Sequence, residues 1–81
     1  MEARLISAKD LMKKYNVTYQ TLNHYTNFGL LDVVTKSGNA RMFDEAYAAE
    51  RLRQIAKMKE LGYPLRLIRK TLLENKEPRL L

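Results

Sequence analysis

Apolar positions in the first third of the chain recur at helical spacing in two short bursts. In the first, Ala8, Leu11, Met12 and Tyr15 share one side of a helical wheel. Lys9 and Lys13 lie opposite, and Lys14 flanks the stripe. Ser7 with Asp10 three residues on resembles a capping box, with Asp in place of the usual Glu or Gln. Asn16 suits a left-handed turn, Val17 plugs inward, and Thr18 caps a second helix over 18–28 that Gly29 stops. On that helix Leu22 and Tyr25 fall on one side with Thr18, and Gln20, Asn23, His24 and Asn27 on the other. The outer face carries donors and acceptors but no formal charge. Two amphipathic helices joined this tightly, the second polar outside, predict a helix-turn-helix.

After Gly29 the texture changes. β-branched residues followed by a Gly-Asn turn predict a hairpin, with strands near 31–35 and 40–43. Lys36, Asn39 and Arg41 then sit on or beside its turn, so that 31–43 forms a basic wing. A longer helix starts at Asp44 or Glu45 and runs to about Leu61, with a stripe of Ala48, Ala49, Leu52, Ile55 and Ala56. Its acids come early and its lysines late, as the macrodipole favours. Lys59 falls near the centre of the stripe. Either it snorkels its ammonium outward, or its stem packs on the core while its head meets a phosphate. Gly62 closes this helix and Pro64 opens a fourth, to about Asn75, with Leu65, Ile68 and Leu72 inward. Leu67 and Leu73 lie off that stripe, and Leu80 and Leu81 follow Pro78. Together these four are a candidate contact for a second copy or another protein. The expected fold is mostly α with a small β-hairpin wing, a winged helix-turn-helix followed by a second helix pair. The domain spans 1–75 and 76–81 is a tail.

Composition narrows the function. Eighty-one residues hold one small domain. The chain has no cysteine, which excludes disulfides and thiolate metal sites and suits a reducing cytosol. Neither a signal peptide nor a run of roughly 20 apolar residues is visible, so no membrane partner is expected. The net charge of +6 favours a polyanionic partner, and it is shared evenly. Residues 1–43 carry six cations against three anions, and residues 44–81 carry nine against six. The positive charge thus belongs to the folded body and not to a basic arm. One histidine, no paired carboxylates facing a cleft and no glycine-rich phosphate loop argue against an enzyme. No cofactor or metal is expected. An exposed aromatic platform for single-stranded RNA is also lacking.

The order of parts resembles the N-terminal DNA-binding domain of the MerR family of bacterial transcription regulators. The resemblance rests on Asn16-Val17-Thr18, Tyr25 and Gly29-Leu30-Leu31 around the second helix, and on Gly38, Arg41 and Phe43 in the wing. It is strongest at Leu52-x-x-Ile55 followed by Leu61-Gly62-Tyr63-Pro64-Leu65, Ile68 and Leu72, and covers roughly residues 5–73. There are departures. Where the family commonly carries Arg-Tyr-Tyr-Glu, this chain has Asn23-His24-Tyr25-Thr26. The family's phosphate-contacting arginine is therefore missing, and charge must come from Arg41, Lys36 and Lys59. The family's dimerisation helix and effector region do not fit in the eight residues after Leu73. The chain resembles the DNA-binding head without its sensor.

The resemblance implies a double-stranded DNA-binding protein of the bacterial cytoplasm, associated with the nucleoid and regulating transcription. The second helix would enter the major groove, with Tyr19, Gln20 and Asn23 as candidates for base edges. Thr18, His24, Tyr25, Lys36, Asn39 and Arg41 are candidates for phosphates, Arg41 foremost. Lys59 and Tyr63 join them by analogy with the family. Two alternatives stand beside this. One is a small excisionase-like or architectural DNA-binding protein. The other is a protein-interaction module on the same fold that no longer reads DNA, motivated by the missing arginine.

Overall fold

Local capping chemistry sets out the elements in the computed structural model, which describes residues 4–74. In order they are β1 (Leu5–Ser7), α1 (Ala8–Tyr15), α2 (Tyr19–Asn27), β2 (Thr35–Ser37), β3 (Ala40–Asp44), α3 (Glu45–Glu60) and α4 (Leu65–Glu74). Ser7 Oγ accepts from Asp10 N at 3.1 Å, Thr18 Oγ1 from Thr21 N at 3.1 Å, and Asp44 Oδ1 from Tyr47 N at 3.2 Å. Each satisfies an amide that the first turn leaves without a helical partner. Helix ends are equally local. α2 stops where Gly29 turns left-handed at φ +86°, which brings Gly29 N to Thr26 O at 3.2 Å and Leu30 N to Tyr25 O at 2.9 Å. Gly62 ends α3 in the same way at φ +94°.

The sheet departs from the expected two-stranded wing. It has three antiparallel strands in the order β1-β3-β2, with Ile6 opposite Phe43 and Lys36 opposite Arg41. β1 is too short to show a period, and it exists because β3, far along the chain, offers it an edge. The first wing strand also lies later than 31–35. Leu30 and Leu31 are both 1% exposed, and two consecutive residues of a strand cannot point to the same core. They belong to the core cluster, Asp32–Val34 is the connection, and pairing begins at Thr35.

One apolar cluster joins the layers. Ile6 and Phe43 come from the sheet, Leu11 from α1, Leu22 and Tyr25 from α2, Ala48 and Ile55 from α3, and Ile68 from α4. α3 turns differently from the expected stripe. Ala56 is exposed and Ala49 half-buried, whereas Glu45 and Arg51 are buried. Arg51 bonds the Tyr47 hydroxyl one turn back, and its guanidinium lies 5.1 Å from the Tyr47 ring centroid. That contact lets a cation sit where periodicity favours an apolar residue. Asn75, where the fourth helix was expected to end, and the tail 76–81 lie outside the described residues.

Candidate nucleic-acid interface

α2 is seated by Leu22, fully buried, and by Tyr25, 7% exposed. Both face the core because they lie three apart on a 3.6-residue period. The seat turns Tyr19, Gln20, His24 and Asn27 outward as exposed side chains and leaves Asn23 half-buried. Thr18 Oγ1 is engaged twice, accepting from Thr21 N and donating to Thr21 Oγ1 at 2.9 Å. Its hydroxyl fixes the helix start and so sets where Tyr19 and Gln20 stand. His24 stacks on Phe28 one turn later, ring centroids 5.7 Å apart and planes 15° apart. Tyr25, a candidate phosphate contact, is buried.

Lys59 brings a cation to this face, and the hairpin carries two more. Lys59 near the end of α3 lines an open groove together with Gln20, Thr21, His24, Tyr25 and Leu65. Its side chain is exposed, as the snorkelling reading requires. Tyr63 is exposed at the α3–α4 corner. In the hairpin, Lys36 and Arg41 stand directly opposite each other on the β2–β3 ladder, with Asn39 exposed in the turn. Direct opposition puts both side chains on one face of the hairpin. Arg41 is half-buried, with its guanidinium 6.0 Å from the Phe43 ring centroid. Among the described residues neither Lys36 nor Arg41 forms a salt bridge.

Of the four leucines, the described residues include Leu67 and Leu73. Leu67 is exposed, but Leu73 is half-buried, with its Cδ1 3.7 Å from where a Cβ on Gly29 would lie. Leu80 and Leu81 lie outside the described residues. Leu61, which the pattern did not single out, is 64% exposed.

Two charged groups escaped the sequence reading. Glu45, at the start of α3, accepts from Lys14 Nζ at 2.5 Å and from the Tyr15 hydroxyl at 2.9 Å. These bonds, Lys14 first, hold its carboxyl below the ordinary glutamate range, and they push Lys14 and Tyr15 up. Arg69 on α4 donates from Nε to Phe28 O at 2.7 Å. The only sequence signal for Arg69 was the set of free carbonyls that any helix end leaves. Among the described residues no helix is long and apolar enough to cross a membrane. No cluster of three or more His, Cys, Asp or Glu residues among them could hold a metal ion.

A capped helix pair with a tight left-handed turn, a basic hairpin beside it and a second helix pair behind define a winged helix-turn-helix domain. The profile of the MerR HTH family regulatory proteins matches residues 6–75, and the chain belongs to that family. The family is one of helix-turn-helix regulatory proteins. It is 38% identical over 64 residues to the nodulation protein NolA of Bradyrhizobium elkanii, covering 78% of this chain and 29% of that protein. NolA of Bradyrhizobium diazoefficiens is also 38% identical over 64 residues, with 78% and 27% covered. The chain thus spans under a third of the length of these relatives. No solved structure gives a significant match.

Proposed function

We propose that this domain reads duplex DNA by sequence, with the N-terminal half of α2 in the major groove and the β2–β3 wing on the flanking backbone. Tyr19, Gln20 and Asn23 are the base-reading residues. Gln and Asn amides suit adenine, whose N6 donates and whose N7 accepts. Lys36, Asn39 and Arg41 hold phosphates on one side, and Lys59 and Tyr63 on the other. His24 and the groove edge of Tyr25 lie between.

One observation carries this reading: the Lys36–Arg41 pair. Like charges directly opposite on a ladder destabilise a hairpin. A phosphate between them turns that repulsion into attraction. One head of this kind buries only about 600–1,000 Å² on DNA, so tight binding needs two heads on two half-sites. We assign the chain to transcription regulation at the nucleoid on the strength of its family.

The test is enrichment of duplexes from a random pool, followed by affinity measurement over a salt series. Selected DNA is expected to bind at least about tenfold better than random DNA, since one good bidentate base contact discriminates by about 1–3 kcal/mol. Arg41→Gln should weaken binding to both pools and lower the log–log salt slope by about one. Absence of enrichment, with a flat salt response, would overturn the reading and favour a protein-interaction module. A bend of the selected duplex, seen by energy transfer between its ends, would move the assignment to an architectural role.

A further inference from the structure

The last turn of α2 is gripped from outside the core. Phe28 is its C-cap residue, and its carbonyl is one of those a helix end leaves without an internal partner. Arg69 reaches it from α4, with Nε donating to Phe28 O at 2.7 Å. The same guanidinium lies over the Phe28 ring, with Cζ 5.5 Å from the centroid. The Phe28 ring in turn stacks on His24 at 5.7 Å. A Cβ on Gly29 would come within 3.6 Å of Arg69 Nε and 3.7 Å of Leu73 Cδ1, so α4 lies against the residue that ends α2. The chain of contact runs from α4 to a histidine on the outer face of the helix.

We propose that Arg69 is a positioning residue for DNA recognition. It clamps the end of α2 and, through Phe28, fixes the direction in which His24 meets the DNA. The proposal rests on the reading of α2 as the groove-entering helix. The chemistry calls for arginine. A planar guanidinium can donate in its own plane to a carbonyl while its face covers a ring, whereas an ammonium is a compact point charge. A cation is also favoured beside the negative end of a helix. Arg69 is exposed, so the clamp orients the helix end and adds little to global stability.

The experiment uses the full chain and the variants Arg69→Lys, Arg69→Met and Phe28→Leu. Without DNA, the His24 ring-proton shifts are recorded by NMR. Both Arg69 variants are expected to move them toward their positions in Phe28→Leu, while core amide shifts stay in place. With DNA, each variant is titrated against the duplex selected by the wild type and against random duplex over a salt series. Because α2 is a rigid rod, releasing its end also shifts Gln20 and Asn23 on the bases, so a positioning role predicts about a tenfold loss on the selected duplex, the weight of one bidentate base contact, a smaller loss on random duplex, and an unchanged salt slope. Lysine should not rescue. A direct phosphate contact by Arg69 would instead weaken both duplexes equally, lower the slope by about 0.9, and be rescued by lysine, which would overturn the proposal. Unchanged His24 shifts in the Arg69 variants, alongside a wild type that selects DNA, would overturn only the role of Arg69. A wild type that selects no duplex would overturn the groove reading itself, and the His24 shifts would still report whether the clamp exists. If Arg69→Met fails to fold, Arg69→Lys carries both arms.

Discussion

The two helices of the helix-turn-helix end in opposite kinds of anchorage. The end of α1 is tied by charge, through Lys14 and Tyr15, to the Glu45 carboxylate, whose side chain is only 11% exposed. The end of α2 is tied at its rim, by an exposed arginine on a backbone carbonyl. The first contact joins α1 to the start of α3 and so fixes the body of the fold. The second leaves the outer face of α2 open. The helix that carries the candidate base contacts is thus held by an apolar seat and a clip at its end.

Substitutions can break this contrast in a definite order. Leu22→Ala should cost most, about 2–5 kcal/mol by urea denaturation, because a fully buried leucine leaves a cavity beneath α2. A smaller loss would mean that the rim clip, rather than the seat, carries the helix. Gly29→Ala comes next, at about 1–3 kcal/mol, through the left-handed backbone. The added Cβ would meet its neighbours at 3.6 Å or more, which is ordinary contact, so the cost is conformational strain and not collision.

Glu45→Gln should have a smaller effect with a distinctive pH signature. Because the folded-state pKa lies below the ordinary glutamate value, the ionised group stabilises the fold above that value. The contribution fades as pH falls through the lowered pKa. The difference between wild type and variant in urea midpoint should therefore be greatest near neutral pH and close as the pH falls below the ordinary glutamate range. A gap independent of pH would show that α1 is held by packing and not by the carboxylate. Least of all is expected from Arg53→Gln. Its partner Glu50 lies on the same exposed turn at 2.6 Å and holds nothing else in place, so the thermal midpoint should not move measurably.

What could be read from the chain was local. Ser7, Thr18 and Asp44 cap helices because a short polar side chain needs only the next turn, and Gly29 and Gly62 end them because of their own backbone freedom. The polar face of α2 followed from its period. What could not be read depends on distant partners. β1 needs β3, the burial of Glu45 needs the end of α1, and the Arg69–Phe28 bond joins residues 41 apart. Leu30 and Leu31 misled for a different reason. Adjacent apolar residues suit a strand or a plug equally, and the difference lies in what packs above them.

The pairing of Leu5–Ser7 with Met42–Asp44 closes a ring in the chain, and both α1 and α2 lie inside it. Ring closure is insensitive to circumference, since each doubling of a flexible loop costs only about 0.6 kcal/mol. Residues could therefore be added between Asp32 and Val34 at little thermodynamic cost. The added residues would bulge outward and leave the hairpin where it is, because β3 pins it to β1 whatever the length of the connection. The connection is thus a place where the chain can grow without moving either the helix or the hairpin.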